Sequence, residues 1–435
     1  MNATVDDLMP IARMLARKPS LRQPLEPGYG INPGDKVLIV VNTRFDQRVL
    51  QAIERAIVEV GGVVDVIRTH ADSPQTYTSN VGHLEIPTLA ELQARRAGSG
   101  GGGGGTDRVR AFFTAGGGYN VVINGSGGPP PVEEFRWEYI PWDTVDKFMY
   151  SMAAVPYEIQ NRVDELLWNA MTKARTIHNT DPEGTDLTTH WLPHFGTLLR
   201  ESKEHEYHEI MLKGHMSAMP LFLSPIEADA NGVIGGTTNH TGSYPNIKVT
   251  VQKNSVVKIE GGGEYGKRWQ ALLDECLKDK IHNPVYPSAG CGWLIEIAIG
   301  TDQWRARDME ADLRRSGYVW ERGRSGVIHW GMGGRAEGVG HWHIHTLFNT
   351  MDFTDENGKT IRALDKGHLT FLDDPEVRKI AAKYGDPDEI LKGKWIPPMP
   401  GINVPGDYMK DYGSDPYGFN HPYLERLRRE LGWSQ

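Results

Sequence analysis

Three histidines occupy alternate positions in the run Gly340-His341-Trp342-His343-Ile344-His345. Only an extended strand brings residues i, i+2 and i+4 to one face. The stretch therefore commits the chain to a β-strand with three imidazoles on one side and Trp342 and Ile344 on the other. Imidazole is the commonest protein ligand for zinc, iron and copper. A solvated His-rich strand, or a pair of hydrogen-bonded core histidines, is the plainer explanation for one or two such residues. Three on one face read as a metal site.

At 435 residues the chain is long enough for two or three domains at roughly 150 residues each. Its net charge of -9 argues against a nucleic-acid partner or an anionic membrane surface, since both need a basic patch to displace counterions. Two cysteines, Cys276 and Cys291, cannot build a disulfide framework, and MNATVDDLMPIARMLARK at the start lacks the apolar stretch of a signal peptide. The longest apolar runs, such as VLIVV at 37–41, are strand-sized and far short of a membrane span. A cytoplasmic location is expected.

VLIVV follows the turn Gly34-Asp35-Lys36 and reads as a buried parallel strand. Residues 45–60 carry Val49, Leu50, Ile53, Ala56, Ile57 and Val60 at helical spacing, Gly61-Gly62 closes them, and VVDVI at 63–67 is a second strand. A third strand is expected at 119–124, and a helix with Pro156 at its start at 157–173. The six glycines at 100–105 are not preceded by a strand, so they read as a surface loop and not as a phosphate cradle. Beyond 173 the texture changes to strands and Gly/Asn turns: RTIHNT, TDLTTHW, then NIKVTVQ and SVVKIEGG around Lys253-Asn254, with one helix at 265–278. The expected architecture is an α/β N-terminal domain with a Rossmann-like parallel sheet over 1–172, an α+β metal-binding domain over 173–373, and a C-terminal extension with two short helices over 374–435.

Several short motifs follow in order: Asp181-Pro182-Glu183-Gly184-Thr185-Asp186-Leu187-Thr188, Gly214-His215-Met216-Ser217-Ala218-Met219-Pro220, Glu296-Ile297-Ala298-Ile299-Gly300-Thr301, Gly326-Val327-Ile328-His329-Trp330-Gly331-Met332-Gly333, and His341-Trp342-His343. In that order they resemble the metallo-aminopeptidases of peptidase family M29, over roughly residues 34–367. The same fold looks like that of ring-cleaving enzymes of the 2,5-dihydroxypyridine 5,6-dioxygenase type. The resemblance implies a two-metal site of two glutamates, a histidine and a closing His-x-Asp pair. Carried over, Glu296 matches the second glutamate, His329 the middle histidine and His341 the first member of the closing pair. Two departures matter. The segment 219–224 holds no carboxylate where the first glutamate is expected, and His343 stands where the aspartate should be.

Two metal ions at close range need bridging carboxylates to offset their charge. With Glu296 alone the site is suited to one ion, held by Glu296, His341 and His343, with His329 as a replacement or neighbour. Glu296 also interrupts the apolar run Trp293-Leu294-Ile295-Glu296-Ile297-Ala298-Ile299, where a buried carboxylate needs a cation. His345 is placed as a third imidazole or an orienting partner. His215 and His240, expected on loops, are candidates for moving protons. Two histidines and one carboxylate suit a mononuclear non-heme Fe(II) dioxygenase that opens a hydroxylated aromatic or heteroaromatic ring, with dioxygen as co-substrate. The same ligand count also suits a single-metal Zn or Mn hydrolase, such as an aminopeptidase or amidase. The resemblance further implies a homo-oligomer.

Overall fold

The structure is a computed structural model. It describes residues 3–19, 28–43, 45–69, 86, 118–125, 136–140, 142–149, 154–191, 215–219, 228–278, 292–305, 321–334, 340–393, 398–420 and 422. Within these, the side chains of His215–Met219 and His341 lie outside the description; the glycine run at 100–105, Cys291 and the segment 220–224 fall outside the described residues.

The described residues divide into two compact units. The first opens with helix α1 (Val5–Arg17), which sequence periodicity had not singled out; Thr4 and Asp7 form a reciprocal capping box at its start. Strand β1 (Lys36–Asn42), helix α2 (Gln47–Val60) and strand β2 (Val63–Thr69) form the expected βαβ unit. Asp46 caps α2 by accepting from the Arg48 N–H, and Gly61 ends it in the left-handed region at φ 97°, a conformation a Cβ would resist. Strands β3 (Val121–Asn124) and β4 (Arg136–Tyr139) complete a parallel sheet in the order β2-β1-β3-β4. Val37 to Val41 are all buried, as befits a strand covered on both faces. Helix α3 (Val145–Met149) follows, then α4 (Tyr157–Met171), which leads into the second unit.

That second unit is built on one large antiparallel sheet. Its strands are β5 (Ala174–Asp181), β6 (Thr185–Trp191), β7 (His215–Met219), β8 (Ala228–Asn239), β9 (Gly242–Gln252), β10 (Ser255–Gly261), β11 (Leu294–Gly300), β12 (Ile328–Gly334), β13 (Gly340–Thr346), β14 (Thr350–Asp355), β15 (Thr360–Asp365) and β16 (His368–Leu369). The main path runs β16-β15-β14-β5-β6-β8-β13-β12-β11-β7, and β9 pairs with β8 and β10. Lys253 and Asn254 both adopt positive φ in the β9–β10 turn, the geometry that matches the twist of a two-residue hairpin. Helix α5 (Gly263–Lys278) packs on β9 and β10, and its Trp269 meets Trp342 of β13 edge to face at 5.8 Å. Trp269, Trp330 and Trp342 are fully buried, each contributing on the order of 2–3 kcal/mol of apolar burial. The C-terminal part carries two short helices, α6 (Pro375–Ala381) and α7 (Pro387–Ile390), both with Pro in the first turn and an aspartate cap. Among the described residues no helix is long and apolar enough to cross a membrane.

Candidate metal centre

Four neighbouring strands, β11, β12, β13 and β8, bring the chemistry together. Glu296 lies opposite Gly331, and Gly331 opposite His343. One row further along, Ala298 faces His329, His329 faces His345, and His345 faces Thr238 of β8. Directly opposed residues share a face of the sheet, so Glu296, His329, His343 and His345 stand on one side. Trp330, Trp342 and Ile344 alternate to the other side, where α5 lies. This is the division that the alternating histidines imply.

Glu296 reaches that face by an irregularity. Leu294 pairs with Met332 while Glu296 pairs with Gly331, so two steps of β11 oppose one step of β12. The extra residue, Ile295, is a β-bulge that lets Leu294 sit on the apolar face and still turns Glu296 to the histidines. The middle of the row must be small. A Cβ on Gly331 would lie 2.9 Å from Glu296 Cβ and 2.9 Å from its Oε2. The glutamate thus lies across bare backbone to reach its neighbours.

His329 is the hub. Its Nε2 is 3.1 Å from Glu296 Oε2, and its Nδ1 is 3.1 Å from His345 Nε2. His343 stands 4.3 Å from His329, centroid to centroid. His240, in the turn between β8 and β9, adds a fourth ring, 3.7 Å from His343 and stacked at 4.8 Å and 17° on His329. Two overlapping groups could hold a metal ion: Glu296, His329 and His343, and His240, His329 and His345, each with ligand atoms within 4.8 Å of one another. His329, His343, His345 and Glu296 are all buried.

The electrostatics keep the His343 and His240 rings neutral. Burial pushes His343 down to about 3, against the pull of the Glu296 charge, and the Arg322 guanidinium adds to the depression. Burial likewise holds His240 well below the ordinary imidazole range, reinforced by His343, His329, Arg322 and His345. Neutral imidazole is the form that binds metal. The spacing also fits: donors about 2.1 Å from one ion and at right angles to each other are about 3.0 Å apart, matching the Glu296–His329 separation. Outer partners hold the strand that carries His343. The Tyr265 hydroxyl donates to the His343 carbonyl at 2.7 Å, and Tyr244, stacked on Tyr265 at 4.3 Å, donates to the Thr238 carbonyl at 2.9 Å.

Of the residues singled out from sequence, Glu296, His329, His343 and His240 come together here. His345 joins them through His329. His215 is the first residue of β7, opposite Gly300, a strand position and not the expected loop, because β7 pairs with β11 along its length. The backbone of His341 pairs with Gly333, and its side chain lies outside the described residues. Gly331, Tyr265 and Arg322 were not anticipated. A glycine at the centre of an alternating strand is a signal that could have pointed to Gly331.

The arrangement defines a buried glutamate–histidine centre with the donor set of a metalloprotein. No family model matches the chain, and no curated protein matches it. Among solved structures, that of 2,5-dihydroxypyridine dioxygenase from Pseudomonas putida KT2440 aligns with 84% of this chain and 98% of that one, at 12% identity and a TM-score of 0.41. A likeness that slight carries no argument about chemistry.

Proposed function

We propose that Glu296, His329 and His343 hold one divalent metal ion, and that the protein is a mononuclear non-heme Fe(II) dioxygenase opening a hydroxylated aromatic or heteroaromatic ring. One observation carries the reading: two buried imidazoles and one buried carboxylate with ligand atoms within 4.8 Å of one another, on one sheet face. Fe(II) in such a set keeps open positions where a chelating substrate and dioxygen meet.

The chain's own residues have distinct parts. His329 offers Nε2 on the Glu296 side, while its Nδ1 faces His345. His345 thereby fixes the tautomer and the ring plane, the part an outer partner takes around a ligating histidine. His240, whose ring stands against His343, is the group proposed to exchange a proton with a substrate hydroxyl. His329 takes the place of His341 in this ligand set because its Nε2 stands 3.1 Å from Glu296 Oε2. The single carboxylate favours one ion over a two-metal peptidase site.

The test is oxygen uptake by Fe(II)-loaded protein across a panel of dihydroxylated benzenes and pyridines. Uptake matched by loss of the ring absorbance is expected, with a drop of at least about 100-fold in Glu296→Ala. Release of amino acids or amines by the Zn- or Mn-loaded protein in air-free buffer, with no oxygen consumed in air, would instead establish the hydrolase.

A further inference from the structure

A cavity of about 130 Å³ lies beyond the ends of the strands that carry the centre. Its walls come from the segment after β11, the turn before β12, the segment after β13, the β15–β16 turn and the segment after α7. None of its described lining residues belongs to the metal centre. The walls are tied to one another. Ser325 N–H donates to the Asp302 carbonyl at 2.9 Å, Gly367 N–H to the Asn349 carbonyl at 2.8 Å, and the Trp304 indole N–H to the Ile390 carbonyl at 2.7 Å. The β15–β16 turn packs so closely on the approach to β12 that a Cβ on Gly326 would fall on the Gly367 carbonyl oxygen.

Gln303 gives this cavity its chemistry. Only 1% of the residue is exposed, and both ends of its amide, Oε1 and Nε2, are buried with no hydrogen-bond partner among the described residues. A buried amide is costly until a donor meets its oxygen and an acceptor meets its nitrogen. Two cationic side chains line the same space: Arg324, which is buried, and Lys366, which is exposed on the β15–β16 turn. His368 also lines it, with Nε2 paired to Asp373 Oδ2 at 2.8 Å. No carboxylate stands among the described lining residues. Phe348, Leu372 and Leu391, all buried, form an apolar wall.

These features select a ligand. Cations without an acid favour an anion, and a carboxylate answers Arg324, Lys366 and the Gln303 Nε2 donor. It supplies acceptors only, so Gln303 Oε1 needs a donor as well. Oε1 and Nε2 sit side by side on one amide, which places that donor next to the acid group, as in a 2-hydroxy carboxylate. An ammonium in the same place would meet like charge from Arg324 and Lys366. At roughly 10–15 Å³ for each water-sized group, the volume admits on the order of ten such groups. We infer that this cavity binds a short aliphatic 2-hydroxy carboxylate, its acid group toward Arg324 and Lys366, its hydroxyl on Gln303 and its alkyl chain against the apolar wall. The site is separate from the metal centre and does not depend on the reaction proposed there.

Binding of 2-hydroxy-4-methylpentanoate, its amide and 4-methylpentanoate is measured by calorimetry on full-length wild type, Gln303→Leu, Lys366→Asn and Glu296→Ala. Asparagine suits the φ of 48–49° found at this kind of turn position, so Lys366→Asn removes the charge and keeps the backbone. Wild type is expected to bind the hydroxy acid at least about tenfold more tightly than its amide, and about fivefold more tightly than the acid without the hydroxyl. Gln303→Leu is expected to lose the hydroxyl preference, and Lys366→Asn to narrow the preference for the acid about threefold. Glu296→Ala is expected to bind as wild type does, because only chelation at the metal centre would require Glu296. Equal binding of the three compounds, or no binding with ordered water alone in the cavity, overturns the inference. A hydroxyl preference that survives in Gln303→Leu overturns it too, as does one that vanishes in Glu296→Ala and so assigns the acid to the metal. Should Gln303→Leu fail to fold, an unchanged acid preference in Lys366→Asn overturns it.

Discussion

Glu296 and Gly331 show how narrow the tolerances at the centre are. The carboxylate crosses the strand where Gly331 leaves room, and an added methyl would have to displace Glu296 Cβ or Oε2 from 2.9 Å. Gly331→Ala is expected to weaken metal binding by about 10–100-fold, the range for disturbed support of a ligand, while the circular dichroism spectrum stays native. Unchanged affinity in a metal titration would refute this positioning role. Asp181 gives a pH signature away from the centre. Burial raises its carboxyl to about 6, although the N–H groups of Glu183 at 2.8 Å and Phe348 at 2.9 Å donate to it and hold it down. The folded state therefore binds this proton more tightly than the unfolded chain, and the contribution to stability falls as pH rises from about 4 to about 6. The stability of wild type relative to Asp181→Asn is expected to drop by up to about 3 kcal/mol between pH 4 and pH 7 in urea denaturation. A flat difference would contradict it. At this scale sequence reasoning reached Glu296, because a carboxylate in LIEIAI is costly unless compensated, and His343, because strand alternation is strict. It missed Gln303, since one glutamine on an irregular turn carries no periodic signal.

Among the elements, the join between β8 and β13 is the thinnest link in the site. His345 and Thr238 form the register pair across it, and the tyrosine hydroxyls of Tyr265 and Tyr244 bond the carbonyls of His343 and Thr238. Tyr265→Phe is expected to cost about 1 kcal/mol and to speed amide exchange in β8 and β13 more than in β5 and β6. Uniform exchange across the sheet would show that the hydroxyl does not brace this join. The βαβ unit and the β9–β10 hairpin were legible because apolar periodicity, Gly61 and Lys253-Asn254 are local signals. The bulge at Ile295 was not, since the pairing of Leu294 with Met332 depends on a partner strand more than thirty positions away. Nor was the neighbour order that carries His240 to His343, which only long-range strand pairing fixes.

Across the whole molecule, a small parallel sheet and a large antiparallel sheet belong to separate compact units, and the residues of the centre all lie in the second. The order of motifs along the chain suggested an M29-like arrangement, and the missing carboxylate in 219–224 pointed from two ions to one. What the fold adds is convergence: β11, β12, β13 and the turn after β8 each deliver one kind of side chain to the same spot. The central claim is that this spot holds one metal ion. Anomalous diffraction at the iron edge from Fe(II)-loaded crystals, grown without oxygen, tests it most directly. The account expects one peak per chain, about 2.0–2.2 Å from Glu296, His329 and His343. Two peaks, or a single peak not touching Glu296, would contradict it.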